Sequence, residues 1–211
     1  MGLILEKYVL NDCLLGIWEI VEDFDSLYSQ VQLSEEDEER LNSFKNHERK
    51  LEWLSVRVLL RTLTDSDKKI IYGENRKPFL ADGSYNISVS HSNKFTSILL
   101  GKSRKVGIDL EFMSHKISRI ADRFIGSKEY ISKKTPEAEK YHLYIHWCAK
   151  EALFKICDKQ GINFKDNLYI YPFDVNDEGM LRSYVKTGHI DQHFNMEYFK
   201  LDNYIIVWCA N

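Results

Sequence analysis

The spacing of apolar and polar positions changes several times along the chain, and each change predicts a new element. Apolar residues three and four positions apart predict helices over residues 35–44, 47–63, 117–124 and 138–158. Short runs rich in β-branched and aromatic residues, separated by Gly, Asn and Asp turns, predict strands. These strands cover residues 14–20, 69–72, 79–81, 85–90, 95–100, 106–111, 168–173, 180–186, 194–200 and 204–209.

The predicted elements follow one order twice: a strand, two helices and then several strands. This order predicts an α+β fold made of two similar halves related by a pseudo-twofold, each a mainly antiparallel sheet with helices packed on it. We place the N-terminal half at residues 1–102 and the C-terminal half at residues 103–211. Because no linker rich in Gly, Ser or Pro separates them, we expect close packing and an active site in the cleft between the halves.

Connectivity predicts which residues meet in that cleft. The strands over residues 85–90, 95–100 and 106–111 are expected to form an antiparallel meander, in which the first and third strands run in the same direction. Their C-terminal ends are then neighbours. Ser90 and His91 are therefore expected near Asp109 and Glu111.

Composition narrows the class of protein. With 211 residues, of which 44% are hydrophobic, the chain can form a sizeable core without disulfides. The four cysteines show no CxxC spacing, so reduced thiols are expected. A net charge of −3 argues against binding to a nucleic-acid backbone. Without a leader pattern or an apolar run of about 20 residues, we expect neither secretion nor membrane spanning, and predict a cytoplasmic monomer.

The strand over residues 106–111 carries two acids on one face. Side chains alternate along a strand, so Asp109 and Glu111 share the face opposite the apolar positions. Two neighbouring carboxylates repel each other unless a cation lies between them, and oxygen ligands suit Mg²⁺, with Mn²⁺ as an alternative. Glu129, in a predicted first turn after Ser127, is the expected third ligand.

The helix over residues 138–158 carries an acid between two ammonium groups. Its apolar stripe leaves Trp147, Lys150, Glu151 and Lys155 on the other side. Glu151 is placed to accept a proton, and phosphoryl transfer needs little beyond such an acid, a metal and flanking cations. The further cations expected around a polyphosphate are His91, Arg57, Arg61 and Lys77.

Each feature has a structural explanation when taken alone. Asp109 and Glu111 could form the solvated face of a strand, and Lys150 and Glu151 a solvated helix face. Their combination favours a metal and pyrophosphate site. Other nucleotide motifs, GxxxxGK[ST] and GxGxxG, are absent from the sequence. His142 and His146 have the spacing of a helical metal pair but lack the glutamate of zinc proteases.

Several motifs together resemble the phosphopantetheinyl transferases of the Sfp-like group. They are Arg57 with Arg61, Arg76-Lys77-Pro78, Asn86 to Ser92, Val106 to Glu111, Arg123 to Glu129, and Trp147 to Lys155. The segments Val106 to Glu111 (VGIDLE) and Trp147 to Lys155 (WCAKEALFK) are specific in their order and spacing. The Arg and Lys-Pro matches are weak. Residues 35–46 depart from the pattern, because they are strongly acidic where related enzymes often carry basic residues.

The resemblance implies a Mg²⁺-dependent enzyme that moves the phosphopantetheine arm of coenzyme A onto a serine of an apo acyl or peptidyl carrier protein. Adenosine 3′,5′-bisphosphate would be released. The implied roles are Asp109, Glu111 and Glu129 as metal ligands; Glu151 as general base; Lys150 orienting it and binding phosphate; Lys155 stabilising pyrophosphate charge; Ser90 and His91 contacting coenzyme A phosphates; and Arg57 and Lys77 at the adenosine end.

Two rival functions stay open at this point. One is a metal-dependent hydrolase of a nucleotide pyrophosphate, which would need the same metal and cations but no protein acceptor. The other is a non-catalytic module that binds coenzyme A or a nucleotide. Acceptor dependence separates the first rival from a transferase, and the effect of replacing Glu151 separates the second.

Overall fold

The computed structural model describes residues 2–73, 75–114, 116–158 and 161–211. It contains two main antiparallel sheets of four and five strands, a two-stranded hairpin and five α-helices within those ranges. The predicted α+β class, with antiparallel sheets and helices, is confirmed. The pseudo-twofold relation and the division at residue 102 stay predictions.

The elements follow the predicted order with two additions near the N-terminus. The helices are α1 (Phe24–Tyr28), α2 (Glu35–Ser43), α3 (His47–Thr64), α4 (Ala121–Phe124) and α5 (Pro136–Cys157). The strands are β1 (Leu3–Val9), β2 (Cys13–Glu19), β3 (Ile70–Tyr72), β4 (Pro78–Leu80), β5 (Asn86–Ser92), β6 (Phe95–Gly101), β7 (Val106–Phe112), β8 (Leu168–Ile170), β9 (Glu178–Lys186), β10 (Asp191–Leu201) and β11 (Tyr204–Ala210).

The two sheets lie between two long helices. The first sheet has the order β1-β2-β6-β5 and packs on α3, with Leu54 and Leu59 in the shared core. The second has the order β7-β11-β10-β9-β8 and packs on α5 through Ala149 and Leu153. A third apolar cluster joins the opposite faces of the sheets, contributed mainly by β2 and β6 on one side and β7 and β11 on the other.

The predicted meander of β5, β6 and β7 is wrong. β6 lies between β2 and β5, so both of its hydrogen-bonding edges are already used, and β7 pairs with β11 in the second sheet instead. The predicted neighbourhood nevertheless forms, because β5 and β7 are edge strands that lie side by side where the sheets meet. Ser90 and Asp109 are therefore close because the two sheets contact each other, and not because their strands belong to one sheet.

A glycine sets the distance between β7 and α5. A Cβ atom at Gly107 would lie 2.2 Å from the carbonyl oxygen of Ala152, closer than any side chain could tolerate. Gly107 and Asp109 are two residues apart on one strand, so they share the face that α5 covers. The close approach at Gly107 therefore brings the Lys155 side of the helix to Asp109.

No helix within the described ranges is long and apolar enough to cross a membrane. All four cysteines are free thiols, as their spacing predicted. The acidic start of α2 is the expected helix N-terminus: the Ser34 side chain accepts a hydrogen bond from the amide of Asp37, and the acids fill the first turn.

Candidate metal and phosphate site

Asp109 is the centre of the site. It is 4% exposed on β7, and its Oδ1 accepts hydrogen bonds from Ser90 Oγ at 2.8 Å and Lys155 Nζ at 2.7 Å. Its other oxygen, Oδ2, is buried and has no hydrogen-bond partner within the described part of the chain. A buried charged oxygen without a partner is costly, so this atom is the one open to a cation.

Glu111 lies on the same face of β7, half-buried. Its Oε2 accepts from Ser92 Oγ at 2.9 Å and its Oε1 from Trp147 Nε1 at 3.4 Å. Burial raises the pKa of Glu111, and repulsion from Asp109 raises it further. The two carboxylates are thus close enough to oppose each other's ionisation, as the strand pattern predicted.

Glu151 on α5 belongs to the same electrostatic group. Burial raises its pKa to about 7, with further repulsion from Asp109 and Glu111 and a partial offset from Lys155. A carboxyl group with this pKa can exchange a proton near neutral pH. The residue predicted to accept a proton therefore lies beside the predicted metal ligands.

Lys155 connects the carboxylates to a cavity between β5 and the C-terminal end of α5. Its Nζ donates to the carbonyl oxygen of Ile108 at 2.9 Å and to Asp109, and its side chain is 26% exposed. An ammonium group has three donors, so one remains for a ligand. Lys155 lines a cavity of about 400 Å³, together with Lys77, Pro78, Ser88 and Phe154.

Asp109 and Glu111 fit a hard divalent cation, and Glu129 does not join them. Glu129 and Lys150 form an ion pair at 2.6 Å whose side chains have no exposed area. Amide groups of Gly126 and Ile170 also donate to the Glu129 carboxylate. Within the described ranges, no three His, Cys, Asp or Glu side chains are gathered as a metal site. The assignment of Glu129 as third ligand is therefore not supported.

The predicted phosphate-binding role of Lys150 meets the same objection. Its Nζ donates to Glu129 Oε2 and to the carbonyl oxygens of Phe124 at 2.5 Å and Phe164 at 2.9 Å. All three donors are thereby used inside the protein. Lys150 thus binds the segments around Phe124 and Phe164 to α5. The sequence pattern did not reveal this, because the helix face that carries Lys150 is covered by protein, as the apolar stripe is.

Ser90 and His91 lie beside Asp109, as predicted. The Ser90 hydroxyl has a single proton, and it is donated to Asp109, so it is not free for a phosphate. The His91 ring is 35% exposed and lies 2.6 Å from Arg49 Nη1 through Nε2. Burial lowers the pKa of His91 despite the nearby Glu52.

Arg57 and Lys77, the predicted adenosine-side cations, occupy different cavities. Arg57 is 7% exposed, stacks on Trp53 and donates to Asp37 Oδ1 at 2.8 Å. Asp37 belongs to the acidic stretch that departs from the family pattern, and it offsets the Arg57 charge. Arg57 lines a cavity of about 660 Å³ whose other cations are Arg40, Arg49, Lys69 and Arg76. Lys77 shares the smaller cavity with Lys155.

Sequence reasoning missed several residues that the structure brings to this region. Arg49 contacts His91, and Ser92 contacts Glu111. A signal for the serines was present: Ser88, Ser90 and Ser92 alternate along β5 and so share one face. For Arg49 there was none, because its contact depends on how α3 packs against the end of β5.

Two features lie apart from the site. Cavities of about 840 and 720 Å³ are found around Met180 and Trp208, and none of the predicted site residues lines them in the described part of the chain. His142 and His146 are buried on α5 and their Nε2 atoms have no partner. His142 Nδ1 accepts from the Ser132 amide, so its neutral ring carries the proton on Nε2 and cannot ligate a metal through that atom.

A family model described as the 4′-phosphopantetheinyl transferase superfamily matches residues 105–209, which include β7, α5 and all the carboxylates of the site. The chain belongs to the 4′-phosphopantetheinyl transferase superfamily. Three of the six motifs that carried the resemblance, including VGIDLE and WCAKEALFK, lie inside the matched range.

Relatives within this superfamily carry the same name. The chain is similar to the 4′-phosphopantetheinyl transferase HetI of Nostoc sp., with 26% identity over 159 residues, covering 66% of each chain. It is 29% identical over 141 residues to a 4′-phosphopantetheinyl transferase of Bacillus subtilis, covering 66% of this chain and 60% of the relative. It is 29% identical over 112 residues to AcpT of Salmonella typhimurium, covering 51% and 58%. The chain thus matches less than two thirds of the length of these relatives.

Proposed function

We propose that this protein transfers the phosphopantetheine arm of coenzyme A to a serine hydroxyl of an apo acyl or peptidyl carrier protein, releasing adenosine 3′,5′-bisphosphate. Membership of the superfamily supports the reaction type. The observation that carries the proposal is the arrangement around Asp109: an unpartnered buried oxygen beside Glu111, Glu151 and Lys155. Such a group of acids and one ammonium suits a cation and a pyrophosphate.

Asp109 and Glu111 would hold Mg²⁺, or Mn²⁺ in its place. When bound, the cation offsets the negative charge of the pyrophosphate of coenzyme A. The Asp109 Oδ2 atom would be the first ligand, since it has no hydrogen-bond partner among the described residues. Glu111 would follow, because its ionised form is disfavoured by burial and by Asp109 and would gain from a nearby positive charge.

Glu151 takes the proton of the reaction. Its carboxylate accepts the proton of the carrier serine hydroxyl, directly or through a water, as the serine oxygen bonds to the phosphorus next to the pantetheine arm. The bond from that phosphorus to the bridging oxygen breaks, and adenosine 3′,5′-bisphosphate leaves with the bonding electrons. Lys155 donates to a pyrophosphate oxygen and stabilises the charge that develops.

The cations of the N-terminal half hold the nucleotide. Lys77 lines the same cavity as Lys155 and is 3.5 Å from Asp158 Oδ2, so a phosphate in that cavity would meet two ammonium groups. His91 presents a partly exposed ring at the end of β5, where a second phosphate contact is expected. Arg57 remains a prediction for the adenosine end, weakened by its pairing with Asp37.

A single assay tests the proposal. The protein is incubated with coenzyme A and Mg²⁺, with and without members of a panel of apo carrier proteins, and the intact masses are measured. We expect one carrier to gain one phosphopantetheine and adenosine 3′,5′-bisphosphate to appear only when a carrier is present. A pyrophosphate hydrolase would release the nucleotide without any acceptor, and that result would contradict the proposal.

A second arm addresses the non-catalytic alternative. Glu151→Gln keeps the size of the side chain but cannot accept a proton, so transfer should fall while coenzyme A still binds. A binding module would bind coenzyme A equally well as wild type and variant, and no carrier in the panel would ever be modified. The monomeric state and a cytoplasmic location stay predictions.

A further inference from the structure

Three serines of β5 join the two sheets where no backbone ladder does. Within the described residues, β5 pairs with β6 and β7 pairs with β11, so the facing edges of β5 and β7 are bridged by side chains. Ser88 Oγ accepts from the Ile108 amide at 3.0 Å, Ser90 Oγ donates to Asp109, and Ser92 Oγ accepts from the Phe112 amide at 3.1 Å. Each contact joins residues 19 or 20 apart, so the two strands run side by side in the same direction.

The three serines do different chemistry. The Ser88 hydroxyl contacts the backbone of β7, whereas the Ser90 and Ser92 hydroxyls donate their protons to carboxylates of β7. Ser92 is the more constrained of these two: one of its two lone pairs accepts from the Phe112 amide, and its single proton is donated to Glu111 Oε2 at 2.9 Å. Ser92 is itself fixed, because it pairs with Phe95 at the end of the β5–β6 ladder.

Glu111 depends on this contact for its orientation. Its other oxygen has only the long contact of 3.4 Å from Trp147 Nε1, near the limit for a hydrogen bond. A glutamate has three side-chain torsions, and without Ser92 it would rotate among several rotamers. The group that aims this carboxylate comes from the other sheet.

We infer that Ser92 is a positioning residue for the metal site, which aims the Glu111 carboxylate from the N-terminal half toward the cation held with Asp109. The inference rests on the proposed function, because it assumes a cation between these acids. Groups that orient a metal ligand typically change metal affinity about 10- to 100-fold when they are removed. Ser92 would then couple the packing of the two sheets to the affinity for the metal.

The test measures metal binding without any turnover. Full-length protein freed of metal is titrated with Mn²⁺ alone, and free Mn²⁺ is followed by electron paramagnetic resonance for wild type, Ser92→Ala, Ser92→Thr and Ser88→Ala. Ser88→Ala is the matched control, since it removes one hydrogen bond of the same contact between sheets but touches no carboxylate. We expect Ser92→Ala to bind Mn²⁺ about tenfold more weakly or worse, Ser92→Thr to restore most of the affinity, and Ser88→Ala to match wild type.

Ser92→Cys is measured alongside, because it keeps the shape of the side chain with a weak donor and remains informative if the alanine variant does not fold. It should lose affinity as the alanine variant does. Equal affinity of wild type, Ser92→Ala and Ser92→Cys would overturn this inference alone. An equal loss in Ser88→Ala would also overturn it, because the effect would then come from the sheet contact in general. If wild type bound no Mn²⁺, both this inference and the proposed metal site would fall.

Discussion

Helix α5 carries two lysine–carboxylate pairs five residues apart, and they differ in one respect. The Lys150–Glu129 pair has no exposed side-chain area, and five hydrogen bonds satisfy its two charged groups. The Lys155–Asp109 pair is 26% and 5% exposed, and among the residues that the structure describes one Asp109 oxygen is unpartnered and one Lys155 donor is unused. The closed pair is complete without a ligand, whereas the open pair is incomplete.

The difference shows where function lies on this helix. A fully satisfied buried ion pair serves the fold, since any ligand would have to displace protein contacts that already compensate both charges. An unsatisfied buried oxygen is a cost that the protein retains, and the binding of a cation would remove it. Both lysines come from the same sequence motif, Trp147 to Lys155, so the motif alone could not separate the two roles.

The largest effect is expected from removing the open carboxylate. Asp109→Ala deletes a proposed metal ligand and leaves the charge of the pyrophosphate less compensated, so transfer to a carrier should fall about a thousandfold or more, equivalent to roughly 4 kcal/mol. The rate is measured by carrier mass under saturating Mg²⁺. Its control is Glu129→Gln, whose rate per folded molecule should stay near that of wild type, and the opposite ranking would reverse the comparison.

The closed pair should dominate stability. Lys150→Met leaves the Glu129 carboxylate buried without its counter-charge, which costs about 3–5 kcal/mol in the free energy of unfolding. Urea denaturation at pH 7.5 measures this loss. A change below about 1 kcal/mol in the free energy of unfolding would mean that the pair does not stabilise the fold as its burial indicates.

The pH dependence of the transfer rate should reflect the ionisation of Glu151, near the open Lys155–Asp109 pair. Burial and neighbouring acids raise the pKa of Glu151 to about 7, so below pH 7 the carboxyl is protonated and cannot accept a proton. Transfer should therefore decrease about tenfold per pH unit below 7 and level off above it. Because the folded protein binds this proton more tightly than the unfolded chain, Glu151 lowers stability as pH rises from about 4.5 to 7. Glu151→Gln should hence be more stable than wild type above pH 7. If the rate of transfer began to decrease only far below pH 7, the assignment of Glu151 as the proton acceptor would be contradicted.

The smallest effect is expected from the open lysine on folding. Lys155→Met removes an ion pair whose lysine is partly exposed, and Ser90 still donates to the buried Asp109, so the free energy of unfolding should fall less than in Lys150→Met. Denaturation under the conditions used for Lys150→Met provides the direct contrast. Transfer should decrease as well, because an ammonium near the pyrophosphate is lost. A stability loss as large as that of Lys150→Met would erase the distinction between the two pairs.

Local periodicity predicted most of the fold, and long-range contacts account for the errors. The α+β class and the two long helices follow from apolar spacing, but β1 was missed because it is an edge strand with few buried side chains and a charged middle. The sheet assignment of β7 failed because no local signal says that both edges of β6 are used.

In the candidate site, too, local periodicity predicted some features, and long-range contacts account for the errors. Period two on β7 correctly placed Asp109 and Glu111 on one face, and α5 brought Glu151 beside them. Helical spacing could not show that Lys150 is covered by the segments around Phe124 and Phe164, nor that Glu129 turns toward it. Those contacts join residues 14 to 26 positions apart, beyond any periodic pattern.

Phosphorus NMR of coenzyme A bound to the full-length protein in the presence of Mn²⁺ tests the central claim most directly. If the open pair and the pyrophosphate hold the cation together, the two pyrophosphate resonances should broaden far more than the 3′-phosphate resonance, and Asp109→Asn should abolish the difference while Glu129→Gln preserves it. Broadening that is equal for all three phosphates, or that survives in Asp109→Asn, would contradict the account.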